Sequence, residues 1–99
     1  MVYSQEPYMV LSDGASTCGE YVAEPQNREL RVEWVLGYIS GLNAGATGMG
    51  RLAGKSFQKP STVDGWLQSY CTSHSLDTLV SAAMALRADF LKHENPAAQ

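Results

Sequence analysis

Ninety-nine residues with 44% apolar content make one folded domain, with no length for a second and too much apolar surface for a disordered chain. Ten acidic against seven basic residues give a formal net charge of −3 without a basic cluster, which argues against nucleic acid as a partner. No apolar run reaches the ~20 residues of a membrane helix.

Residues 1–15 mix aromatics with Pro, Ser, Asp and Gly and show no periodicity, so they read as an extended or loosely packed arm. Its start, Met1 to Pro7, has neither a basic n-region nor an apolar h-region and does not read as an intact signal peptide. Thr17-Cys18-Gly19-Glu20 matches a capping box, which predicts a short helix from about Cys18 to Ala23, stopped by Pro25. Asn27 is the expected N-cap of a second helix, about Arg28 to Asn43. Leu30, Trp34, Val35, Tyr38, Ile39 and Leu42 sweep one side of it, and Glu29, Glu33 and Ser40 the other. Gly37 and Gly41 each weaken a helix by roughly 1 kcal/mol, which predicts a backbone or large ring packed closely against them.

Residues 44–61 hold Gly45, Gly48, Gly50, Gly54 and Pro60 and read as a long Gly-rich loop. Ser61-Thr62-Val63-Asp64 then starts a third helix, with Val63, Trp66, Leu67, Tyr70 and Cys71 on one face, ending near Ser73-His74. Ser75 is the expected cap of the fourth, whose apolar stripe is Leu76, Leu79, Val80, Ala83, Leu86, Phe90 and Leu91. Asn95-Pro96 ends it, so the domain spans residues 16–93 and 94–99 form a tail. Nothing reads as a strand. The fold expected is an all-α, compact bundle of about four helices.

Cys18 and Cys71 are the chain's two cysteines, and composition alone leaves them as a bridge or as two buried thiols. Cys18 falls on the apolar side of the first helix beside Tyr21 and Val22, and Cys71 on the apolar face of the third. Both point at the core, so a disulfide is the expected state, and with it an oxidising compartment.

Catalytic and metal motifs fail on their spacing. Gly50-Arg51-Leu52-Ala53-Gly54-Lys55-Ser56 is one residue short of a P-loop, whose first glycine would fall at Met49, and it follows a helix where a P-loop follows a strand. His74 and His93 have no cluster with metal-ligand spacing, and His74 fits a C-terminal cap of the third helix. A Cys71–His74 pair has the right helical separation for nucleophile and base, but an oxidised Cys71 is no nucleophile. No cofactor is expected. Arg31 and Arg87 interrupt the apolar arcs of their helices, either snorkelling to water or meeting an anion or acidic partner. Tyr3 and Tyr8 give the arm aromatics that could dock on a partner or back on the domain.

Three segments carry a family resemblance: Cys18 on a short first helix, Trp34-Val35-Leu36-Gly37-Tyr38-Ile39-Ser40-Gly41 on the second, and Trp66-Leu67-Gln68-Ser69-Tyr70-Cys71 on the third. With the helix that follows, residues 16–93 resemble the HdeA/HdeB family. The resemblance implies a periplasmic disulfide-linked bundle that suppresses aggregation of client proteins in acid. The Gly37 to Gly41 segment also looks like the second helix of Tai-type immunity proteins of type VI secretion, which bind and neutralise a peptidoglycan-cleaving amidase. The combined expectation is a non-enzymatic binding protein, periplasmic or secreted after removal of a signal peptide. Its partners would be proteins, with a homodimer among the allowed states. Arg31, Arg87, Tyr3 and Tyr8 are the candidate contact residues.

Overall fold

The computed structural model describes residues 10–46 and 59–94. Tyr3, Tyr8, the Gly50–Ser56 segment, most of the Gly-rich loop and the tail beyond residue 94 lie outside them. Four α-helices occur among the described residues: α1, Cys18–Ala23; α2, Arg28–Gly45; α3, Pro60–Thr72; and α4, Leu79–Glu94. Two 3-10 turns, Ser12–Ala15 and Pro25–Asn27, precede α1 and α2. No strand occurs among the described residues; a single bridge pairs Thr17 with Thr78.

The capping box forms as its spacing predicts. The Glu20 amide donates to Thr17 Oγ1 (3.1 Å) and the Thr17 amide to Glu20 Oε1 (2.9 Å). The remaining free amides of α1 are met from outside. Cys18 N donates to Asp77 O (2.7 Å) and Gly19 N to Ser75 O (2.9 Å), while Leu79 N of α4 donates back to Ser16 O (2.7 Å). Gly19 eases this approach, because a Cβ there would sit 3.3 Å from Ser75 O. The starts of α1 and α4 thus satisfy each other's backbones.

That exchange moves the fourth helix. Ser75 is committed through its carbonyl, so Thr78, not Ser75, caps α4, accepting from the Ser81 amide at 3.3 Å. Leu76, expected in the apolar stripe, is left in the turn and is 93% exposed. α3 likewise begins one residue before the expected Ser61, with Pro60 in its first turn, where a missing N–H costs nothing.

Cys18, Tyr21, Val35, Val63, Leu67, Cys71, Leu79 and Leu86 are all but inaccessible and form the centre of the core. Each fully buried apolar side chain of this size contributes roughly 1.5–3 kcal/mol. The disulfide Cys18–Cys71 lies at this centre and joins α1 to α3 across 53 positions. Closing such a loop stabilises by about 4 kcal/mol in the chain-entropy model.

α2 buries a narrower face than its periodicity predicts. Val32, Val35 and Ile39 are inside, whereas Leu30 is 65% exposed and Leu42 lies at the surface. Gly37 and Gly41 face open space: a methyl group added at either would meet nothing within 4 Å. The glycine that does meet a ring is Gly14, where a Cβ would collide with the Trp34 indole and with Val10. The 3-10 turn that holds Gly14 is therefore packed on α2, and the arm is anchored from that point.

Candidate functional site

Arg31 is the charged side chain buried in the core region, with 7% of its surface exposed. It does not snorkel. Its guanidinium turns toward α1, pairs with Glu24 (3.0 Å) and donates to Glu20 O (3.3 Å). Its Nε is buried without an acceptor. Arg28, one helical turn earlier, donates to Tyr21 O (3.0 Å) and Val22 O (2.6 Å) and lies over the Tyr21 ring, 5.9 Å from its centroid. In so short a helix the Tyr21 and Val22 carbonyls are left to outside donors, whereas Glu20 O already accepts from the Glu24 amide (2.9 Å). Arg28 supplies those two, while Arg31 pairs with Glu24 and adds a second donor to Glu20 O, which gives a cation inside an apolar arc its partners at the end of α1.

The other polar ties between elements end on carboxylates. Tyr21 donates its hydroxyl to Asp64 (2.5 Å), joining α1 to α3 beside the disulfide. Asp64 also accepts from Gln68 Nε2 (2.8 Å). Trp66 Nε1 donates to Asp89 (3.0 Å), joining α3 to α4, and the Tyr70 hydroxyl donates to Asp77 (2.7 Å) in the turn between them. Burial, the Asp64 hydrogen bond and its negative charge push the Tyr21 phenol well above its ordinary value. Tyr70 is pushed up to about 12, first by its bond to Asp77 and then by burial.

Two aromatic stacks line the helices at four-residue spacing. Trp34 and Tyr38 stack on α2 at 5.2 Å. Trp66, Tyr70 and His74 form a continuous ladder on α3, with centroids 5.0 and 4.0 Å apart. His74 closes the ladder, its Nδ1 2.8 Å from Tyr70 O, and so serves the helix C-terminus as its position predicts. His93 makes the same contact with Asp89 O at 2.8 Å. Cys71 is oxidised and buried, so Cys71 and His74 make no nucleophile–base pair. No group of three His, Cys, Asp or Glu side chains suited to a metal ion occurs among the described residues. No helix among them is long and apolar enough to cross a membrane.

A cleft of about 280 Å³ opens between the first turns of α2 and α3, lined by Arg28, Glu29, Val32, Glu33, Pro60, Ser61 and Asp64. Of the expected contact residues, Arg31 is buried and turned onto the end of α1, and Arg87 is half-buried on α4. The structure does not bring these two together into one surface site. The sequence conceals the cleft, because helical periodicity places Glu29 and Glu33 simply on the solvent side of α2. The signal that could have found it is their i, i+4 spacing without a basic residue at the matching positions.

Comparison with family models, with curated proteins and with solved structures finds no match for this chain.

Proposed function

We propose that this chain is a non-enzymatic binding protein of the HdeA-like kind, an acid-stress chaperone acting in the periplasm or after secretion. The observation that carries this reading is Arg31, a buried cation whose charge is balanced by Glu24, a residue that acid neutralises. Protonating Glu24 leaves the guanidinium uncompensated between α1 and α2.

Loss of charge on the acceptor carboxylates weakens the Tyr21–Asp64, Trp66–Asp89 and Tyr70–Asp77 ties, because hydrogen bonds to a charged acceptor are roughly twice as strong as neutral ones. With every carboxylate neutral, seven Lys and Arg and two His give a formal charge of +9, and the chain repels itself. Helix contacts would then loosen while the Cys18–Cys71 bridge keeps α1 and α3 together, exposing apolar surface on a tethered chain. An oxidised bridge of this kind also fits an oxidising compartment.

The test is client protection. The oxidised chain should suppress aggregation of unrelated proteins brought to about pH 2–3 and lose that effect near neutrality. Clients that aggregate equally with and without the chain in acid reject the reading.

The cleft between α2 and α3 favours a second reading, a specific protein–protein module such as an immunity protein that neutralises a toxin. Such a module binds one partner at neutral pH, and a toxin gene should lie beside its own.

A further inference from the structure

We propose that the cleft between α2 and α3 is a docking groove for one Lys or Arg side chain on an extended segment of a partner protein. The inference concerns the folded protein at neutral pH and stands whether or not the acid-chaperone reading holds.

The groove is lined by two apolar side chains, three carboxylates and Arg28. Buried Val32 and exposed Pro60 supply its apolar lining. At about 280 Å³ it lies just under the roughly 300–1,000 Å³ of sites for drug-sized ligands, a size that suits one long side chain. Glu29, Glu33 and Asp64 stand on the rim from two helices.

Among the described residues no ion pair balances Glu29 and Glu33 of this rim, while Asp64 accepts from Tyr21 and Gln68. Arg28, the cation among the lining residues, is turned onto α1 by the Tyr21 and Val22 carbonyls and the Tyr21 ring. Glu29 and Glu33 are exposed, one turn apart, and make no ion pair or hydrogen bond among the described residues. Like charges at this spacing destabilise a helix. Glu29 is partly compensated by the helix dipole in the first turn, but Glu33 lies beyond it.

An occupant with a long aliphatic stem and a cationic head answers both halves of the site. The stem covers Val32 and Pro60, and the head reaches Glu29 and Glu33. Lys and Arg side chains have this division of apolar stem and charged tip. A second copy of the chain presents the same acidic rim, which charge complementarity disfavours.

The experiment follows backbone amide resonances of the isotope-labelled full chain at neutral pH and low salt. The titrants are three blocked tripeptides, Gly-Arg-Gly, Gly-Gln-Gly and Gly-Glu-Gly. The Arg peptide should shift amides around Val32, Glu33, Ser61 and Asp64 along a saturating curve, and the Gln and Glu peptides should not. In a Glu29→Gln, Glu33→Gln variant the Arg peptide should bind about five- to tenfold more weakly, with resonances elsewhere unchanged. Both substitutions are at exposed positions, so the fold is retained. Shifts that are scattered over the surface, equal for all three peptides or indifferent to the double substitution overturn the proposal. So does a calcium salt that reproduces the Arg peptide's shifts at equal concentration, since the rim would then be a generic cation trap.

Discussion

Arg31 occupies the apolar side of α2 because the carbonyl it serves, Glu20 O, lies on that side. Periodicity exposes the anomaly but not its cause, since the partners, the Glu24 carboxylate and Glu20 O, belong to the end of α1. The pairing sets a measurable cost. Glu24→Gln should destabilise the protein by about 1–2 kcal/mol near neutral pH, less than a fully buried pair would lose because the Glu24 side chain is 37% exposed. Urea denaturation of the two proteins at neutral pH measures this difference. Tyr21 and Tyr70 give an alkaline pH signature. Both ionise less readily folded than unfolded, so their contribution is complete below the ordinary tyrosine value of 10.0. It is lost as pH rises through about 12 for Tyr70 and beyond that for Tyr21. Tyrosinate absorbance should therefore show two late-titrating groups, and the urea midpoint should begin to fall above about pH 10.

Among the helices, the strongest local signals are legible in the sequence and the ones set by tertiary contact are not. The Thr17 capping box, the Pro25 stop and the inward cysteines all rest on short-range chemistry, and all form. The start of α4 is ambiguous in sequence because Ser75, Asp77 and Thr78 are each acceptable caps in isolation; only the backbone exchange with Ser16, Cys18 and Gly19 selects Thr78. Periodicity overstates the breadth of α2's apolar face for a similar reason. Leu30 and Leu42 match the helical period, yet no neighbouring described element covers them, and both stay exposed. The unpaired Glu29–Glu33 spacing is the cleft's one trace in sequence, because the cleft is made by two helices whose separation no single-helix pattern contains. The glycines of α2 offer a direct check. Gly37→Ala and Gly41→Ala should each stabilise by about 0.5–1 kcal/mol, because a methyl group meets nothing there. Gly14→Ala should instead destabilise by about 1–3 kcal/mol through collision with Trp34. Thermal melts of the three variants distinguish helix propensity from close packing.

For the whole molecule, a buried disulfide and a set of carboxylate-ended ties divide the work of holding the bundle. Cys18–Cys71 is indifferent to pH, whereas Arg31–Glu24, Tyr21–Asp64 and Trp66–Asp89 each depend on an ionised acid. Acid should therefore separate the two, dissolving side-chain packing before the helices and never releasing α1 from α3. The proposed chaperone activity stands or falls on that separation. The deciding measurement is an acid titration of the oxidised chain from about pH 7 to about pH 2, with near-ultraviolet and far-ultraviolet circular dichroism and a hydrophobic dye read together. We expect the near-ultraviolet signal of Trp34 and Trp66 to collapse as the carboxylates titrate, dye binding to rise with it, and much of the helical signal to persist. Native near-ultraviolet dichroism and no dye binding at the acid end would contradict acid loosening, and the chaperone role with it.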